Sequence, residues 1–226
     1  MLKRPIAHIF AELKKKKMKK LYSLLIMLTG FVTVVSAQND PAAKKILDAV
    51  SAKVKSFKGI TANFSIASTT AKGKANGSRS GNVSIKGQKY FLKQGKTEII
   101  SDGKTIWNYD GAKTITVSPA DESSNTLSPQ NLLSNFYDKD FTYKLVSSAG
   151  NFNEIEMRPT DRRKNFEKVN VFVDKKQNII TKAKITDKSK NVIQFILSNL
   201  KTNASVSDNL FVFNRAKYPA DAEVLD

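Results

Sequence analysis

Four carboxylates have the types and spacing that hydrolysis by paired acids would use: Asp102 and Asp110, and Glu154 and Glu156. A glycosidase needs two such groups facing one another across the scissile bond. The surrounding residues argue for plainer roles. Asp102 precedes Gly103 and Asp110 precedes Gly111, the pattern of aspartates that cap tight turns. Glu154 and Glu156 alternate with Ile155 and Met157, which puts the two acids on the outward face of a strand. The rest of the inventory is sparse. The chain has no cysteine, and its one histidine, His8, lies in a segment that reads as a cleaved leader. A protein without that leader has no imidazole base, no thiol nucleophile, no disulfide and none of the usual soft metal ligands. Ser-His-Asp and Cys-His catalysis are thereby excluded, and neither a metal nor a cofactor is expected.

Residues 1–37 carry the marks of a secretory signal. Lys14 to Lys17, Lys19 and Lys20 form a basic region, Leu21 to Val35 an apolar run, and Val35-Ser36-Ala37 a small-residue cleavage site ahead of Gln38. The apolar run is shorter than the ~20 residues of a membrane span. Met18 is a plausible true start, because Met1 to Lys17 adds nothing a signal needs. Cleavage would remove eight cations and one acid, leaving 30 cations against 19 carboxylates, a net charge of +11. Lysines such as Lys86, Lys89, Lys93, Lys182 and Lys184 alternate with apolar residues, which spaces them as solvated outer faces and not as a nucleic-acid patch. With no cysteine after the leader there is no site for lipid attachment. The expected product is a soluble, exported, monomeric protein of residues 38–226.

Binding is the chemistry the remaining pattern suits. Ser101-Asp102-Gly103-Lys104-Thr105-Ile106-Trp107-Asn108-Tyr109 reads as a tight turn feeding a strand that carries the only tryptophan. Thr105, Trp107 and Tyr109 share one face of it. That face suits ordinary core, the commonest place for large aromatics, or else a peptide groove or a lipid pocket.

The elements that must position these residues follow from periodicity. Asn39 and Asp40 offer N-caps, Pro41 sits in the first turn, and Ala43, Ile46, Leu47, Val50, Val54 and Phe57 recur at helical spacing until Lys58-Gly59. From Ile60 the period becomes two, through Ile60–Ile66, and it returns at Gly81, Val83 and Ile85 after a loose Lys72–Ser80 stretch. Strands follow at 89–94, 97–101, 105–109 and 113–118, and later at 141–145, 152–157, 169–173, 179–185, 192–197 and 210–213. Between the two groups, Ser128 caps Pro129 and a short helix with Leu132, Leu133 and Phe136 on one side. The expectation is an α+β protein: one curved antiparallel sheet of about eleven strands, an incomplete β-barrel, covered by an N-terminal helix and a mid-chain lid helix.

Taken in order, these segments resemble the periplasmic lipoprotein carriers of the LolA family. The resemblance rests on the Ser101–Tyr109 hairpin, the phenylalanine-bearing strand Ala62-Asn63-Phe64-Ser65 after the first helix, the Lys86 hairpin, the proline-led helix at 127–136, and the closing Asp208–Phe213 with Val224-Leu225-Asp226. It implies a half-barrel with an apolar cavity for acyl chains and no enzymatic activity. The implied partners are acylated lipoproteins, an inner-membrane transporter that releases them, and an outer-membrane acceptor that the sequence does not identify. On this reading the candidate cavity residues are Phe64, Ile66, Val83, Ile85, Trp107, Tyr109 and Tyr143, and the candidate lid residues are Leu132, Leu133 and Phe136. One departure is plain. Where proteobacterial members carry a functionally important arginine in this hairpin, the chain reads Ile85-Lys86-Gly87-Gln88-Lys89, and lysine cannot reproduce arginine's forked hydrogen bonds. An envelope protein of the same fold that carries or senses another lipid or glycolipid is the nearest alternative.

Overall fold

The structure, a computed structural model, describes residues 39–120 and 137–226. The first helix, α1 (Pro41–Lys55), starts where the sequence places it. The Asp40 carboxylate accepts hydrogen bonds from the Ala42 and Ala43 amides at 2.8 and 3.4 Å, and Pro41 supplies a first-turn residue whose missing N–H costs nothing. The helix ends at a Ser56 cap, a turn earlier than the apolar spacing suggests, because Phe57 packs beyond the helix. Asp40 has a second task. Its other oxygen accepts from the Leu145 amide at 2.9 Å, the Asp40 amide donates to the Tyr143 carbonyl, and Asn39 accepts from the Tyr143 amide. The helix start is thereby tied to the strand beneath it.

Twelve strands make one sheet: β1 (Ile60–Thr69), β2 (Ala75–Lys86), β3 (Lys89–Gln94), β4 (Thr97–Ser101), β5 (Thr105–Tyr109), β6 (Thr114–Pro119), β7 (Phe141–Ser147), β8 (Phe152–Pro159), β9 (Phe166–Asp174), β10 (Ile179–Asp187), β11 (Val192–Thr202) and β12 (Glu223–Leu225). Their order is β12-β6-β5-β4-β3-β2-β1-β11-β10-β9-β8-β7. Two antiparallel meanders are thus joined by the β1–β11 pairing. The edge strands β7 and β12 do not pair with each other, so the curved sheet stays open. A single helical turn, α2 (Tyr137–Asp140), leads into β7.

Three details differ from the sequence expectation. The polar stretch before Gly81 is already strand, since β2 begins at Ala75. It is exposed on both faces and therefore shows no hydrophobic period. Leu210–Phe213 is not a strand: Asp208–Phe211 forms a 3-10 turn capped by the Ser207 hydroxyl, and only Phe211 of it is fully buried. The sheet also gains a twelfth strand, β12, which runs parallel to β6. The expected helix with Leu132, Leu133 and Phe136 lies outside the described residues.

The apolar stripe of α1 buries Ala43, Leu47 and Val50 against β7 to β10, where Tyr143, Ile155, Val171 and Ala183 meet it. At about 1.5–3 kcal/mol per fully buried aliphatic side chain, Leu47 and Val50 alone hold the helix down. A second cluster, around Ile60, Phe64, Val83, Ile85 and Tyr90, continues the same face across β1 to β5, and Val54 and Phe195 pack against both. Gly81 makes room for the Phe64 ring. It lies opposite Phe64 in the β1–β2 register, and a Cβ there would come within 2.7 Å of the Phe64 ring and 2.1 Å of the Lys93 carbonyl. Gly81→Ala is therefore expected to destabilise the fold by about 1–3 kcal/mol, as overpacking against immovable backbone does. Chemical denaturation of the variant and the parent measures it.

The Asp40 carboxyl titrates below its ordinary value, held there first by the Leu145 amide and then by Ala42. A depressed carboxyl stabilises the fold above its unfolded pKa, and that contribution fades as pH falls through the folded value. Asp40→Asn is expected to lower the melting temperature near neutral pH, with the gap from the parent closing in acid. Thermal melts across pH check it.

Candidate functional site

Strand pleating sorts the candidate residues onto two faces of one sheet. Cross-strand pairs carry the inner face from β2 to β7 in a single row: Arg79, Ile66, Phe195, Ala183, Val171, Ile155 and Leu145 stand opposite one another in turn. A neighbouring row runs Gly81, Phe64 and Leu197. The Phe64 and Phe195 rings stack with centroids 6.0 Å apart. Helix α1 seals the β7–β10 half of this face, where Tyr143 packs edge-on to Tyr137 beneath it. Toward β1 and β11 the cover thins: Ile66 and Phe195 are half-buried and Ile193 is 38% exposed. The result is an apolar floor, closed at one side and open at a corner.

Phe64, Val83 and Ile85 are buried on this floor and Ile66 stands at its open corner, so four of the sequence candidates come together. Tyr143 lies on the same face in the sealed half. Trp107 and Tyr109 do not join them. Ser101 pairs with Ile106 and Ile100 with Trp107, so Ile106 points to the inner cluster and Trp107 to the outer face. There Trp107 stacks on Phe213 at 5.4 Å and 2°, and Tyr109 meets Tyr218 at 5.0 Å. The segment after β11 crosses the back of the sheet and buries these rings. Leu132, Leu133 and Phe136 lie outside the described residues.

The sequence reading missed Phe195, Tyr90, Ile99 and Ile106 as inner-face residues. A signal was present. The tight turns at Gly87-Gln88 and Gly95-Lys96 fix Ile85 opposite Tyr90 and Leu92 opposite Ile99. Counting register onward from Ile85 through those turns puts Ile106, and not Trp107, on the Phe64 side.

The back segment is fastened by polar contacts. Lys86 and Lys89 both pair with Asp208, at 2.6 and 3.2 Å. Lys86, the residue nearest the missing arginine, is thus committed to the outer face. The Arg215 guanidinium donates to the carbonyls of Tyr218, Pro219, Ala220 and Ala222, folding the chain on itself before β12. Tyr218 contacts Glu98, and burial together with that carboxylate pushes its hydroxyl up to about 12.

Carboxylate chemistry finds no support in the geometry. Asp102 accepts from the Lys104 and Thr105 amides at 2.8 Å each, and Asp110 from Ala112 and Thr114, so both cap turns. Glu154 accepts from Asn170. Glu156 is buried on the outer face beneath Lys168, Arg158 and Lys144. Burial alone would raise its pKa, but Lys168 and Arg158 outweigh that and hold it below the ordinary value, the reverse of what a general acid needs. Among the described residues no group of three or more acidic, histidine or cysteine side chains is placed to hold a metal. No helix among them is long and apolar enough to cross a membrane.

The described residues put an apolar floor beneath α1, and comparison with known proteins names the kind of protein this is. Residues 55–214 match the model of the outer membrane lipoprotein carrier protein LolA family. The chain belongs to the LolA family. Proteins of this family are binding carriers and not enzymes. The chain is similar to an outer-membrane lipoprotein carrier protein of Haemophilus influenzae, 29% identical over 163 residues that cover 70% of this chain and 77% of the relative. Among solved structures it resembles an uncharacterized conserved protein of Thermus thermophilus at a TM-score of 0.53 and 13% identity, covering 81% of this chain and 98% of that one. A LolA superfamily protein of Nitrosomonas europaea matches at 0.44 and 14% identity, over 76% and 97%.

The placement of Trp107 gives a prediction. Phe213→Ala removes a stacked ring from the outer face and is expected to cost about 2 kcal/mol, less than a full core truncation because the pair is only partly buried. Trp107 fluorescence should report the loss as a red shift, and the affinity for a fluorescent fatty acid should stay within error of the parent.

Proposed function

We propose that this LolA-family chain carries acylated lipoproteins through the periplasm, from an inner-membrane transporter that releases them to an acceptor at the outer membrane. The observation that carries the reading is the inner face itself. Phe64, Ile66, Val83, Ile85 and Phe195 make an apolar floor that α1 covers on one side only. Acyl chains lie along β1 and β11 at the open corner. Residues 1–37 direct export and are cleaved, which leaves residues 38–226 as the working domain.

The energetics require such a carrier to be tight and reversible at once. Each methylene removed from water is worth about 0.8 kcal/mol, so a sixteen-carbon chain exposed in the periplasm costs on the order of 12 kcal/mol. A floor of mixed aromatic and branched side chains covers much of that area without the close fit of a packed core. Release is therefore possible when an acceptor offers deeper burial.

Lipids and lipoproteins extracted from protein purified out of the periplasm, and identified by mass spectrometry, test the cargo. Acylated lipoproteins are the expected finding; a glycolipid or another envelope lipid in their place would show the same floor serving a different cargo. A substitution tests the floor. Ile66→Glu, at a half-buried position, should leave the melting transition nearly unchanged and weaken displacement of a fluorescent fatty acid by more than about tenfold, the effect of a charge set against an acyl chain. Unchanged affinity in a folded Ile66→Glu protein would move the site elsewhere.

A further inference from the structure

The open corner of the inner face lies at one end of the sheet, and that end is ringed with positive charge. Three connections meet there, as the register requires: Thr69 at the end of β1 stands beside Val192, Val192 beside Thr186, and Asp187 beside Phe166. Polar contacts lace them together. The Ala71 amide donates to Asn191, and the Lys188 ammonium to the Arg162 carbonyl.

The β1–β2 hairpin projects past the end of β3 and is exposed on both faces over residues 71–80. It carries Lys72, Lys74 and Arg79 and no carboxylate. The β8–β9 connection adds Arg162 and Arg163, its Lys164 being buried, and the β10–β11 turn adds Lys188 and Lys190. The local carboxylates are already engaged. Asp161 is held by Arg163, Glu167 by Lys190 and Arg158, and Asp187 by the Asn191 side chain. Asp140 stands exposed at the same end, before β7. The hairpin cations therefore face solvent with their charge uncompensated, next to Ile193, Ile66 and Phe195.

We propose that this end of the sheet is a docking surface for an anionic membrane leaflet. A bilayer offers both things that the surface needs: a layer of anionic headgroups for dispersed lysine and arginine charges, and an apolar layer behind it for the corner formed by Ile193 and Phe195. An acidic protein partner would meet the charges but leave the apolar corner in water. The cations are also spread over three separate connections, which suits a diffuse headgroup layer better than one shaped polypeptide. Docked this way, the open corner of the floor faces the acyl chains directly, so transfer need not pass through water. The docking rests on the charge and shape of this end and not on the identity of the cargo.

Vesicle co-sedimentation of the protein without its leader tests the proposal, comparing phosphatidylcholine with phosphatidylcholine containing phosphatidylglycerol. The parent should bind the anionic vesicles, and the binding should fall as salt rises. The Lys72→Gln/Lys74→Gln variant, which spares Arg79 beside Ile66, should lose on the order of 30-fold in partitioning, from about fivefold per charge near the surface. A control with the same charge loss at the opposite end, Lys58→Gln/Lys201→Gln, should bind nearly as the parent does. Equal losses in the two variants, equal binding to neutral and anionic vesicles, or binding to soluble polyglutamate without binding to vesicles would each overturn the proposal. Fatty-acid displacement, measured on the hairpin variant in solution, keeps this result separate from the carrier reading: it should be unchanged, whatever the vesicles show.

Discussion

An open sheet of twelve strands has two faces to hide, and among the described residues only one long helix, α1, lies against it; most of the described structure follows from that. Pleating sends Phe64, Val83, Ile106, Val171 and Ile155 to one side and Trp107, Tyr109 and Ile115 to the other. Water penalises both sets. Helix α1 covers the first over β7 to β10, and the segment after β11 covers the second over β3 to β6. What neither reaches is the corner at Ile66, Phe195 and Ile193. Among the described residues the apolar floor is least covered there, which is why the proposed binding site is set at that corner.

The edges of the sheet are managed by the same two covering elements. Unpaired strand edges invite aggregation. Asn39 and Asp40 lead into α1 by hydrogen-bonding to the Tyr143 and Leu145 backbone, which occupies part of the β7 edge. At the far side, the back segment finishes as β12 alongside β6, fastened by the pair Lys113–Asp221 and the Glu223 amide on the Lys113 carbonyl. One helix and one extended segment thus each cover a face and guard an edge. Among the described residues one buried side-chain polar atom, the Ser51 hydroxyl on α1, has no hydrogen-bond partner.

Much of this was legible in the sequence, and the exceptions share a cause. The α1 stripe, the switch to period two at Ile60 and the turns at Asp102-Gly103 and Asp110-Gly111 are local signals, and each stands where its residues place it. Capping roles for Asp102 and Asp110 were legible for the same reason. Face assignment was not local. Whether Trp107 or Ile106 shares a side with Phe64 depends on registers accumulated over three hairpins, and a slip of one residue inverts the answer. The Ala75–Ser80 part of β2 escaped notice because a ribbon wet on both faces has no hydrophobic period to read. Leu210–Phe213 looked like a strand because alternating apolar residues also suit a segment laid flat across a sheet. The charged end was invisible as a unit, since its lysines and arginines lie on connections separated by roughly a hundred residues and converge only through β1–β11 pairing.

The claim on which the rest stands is that acyl chains lie on the inner face at β1 and β11. Photocrosslinking with a diazirine-bearing fatty acid, followed by peptide mapping, locates the bound chain directly. The account predicts label on the strand peptides that hold Ile66 and Phe195, and none on the back-face residues Trp107 and Phe213. Label concentrated on the back segment, or spread evenly over both faces, would contradict it.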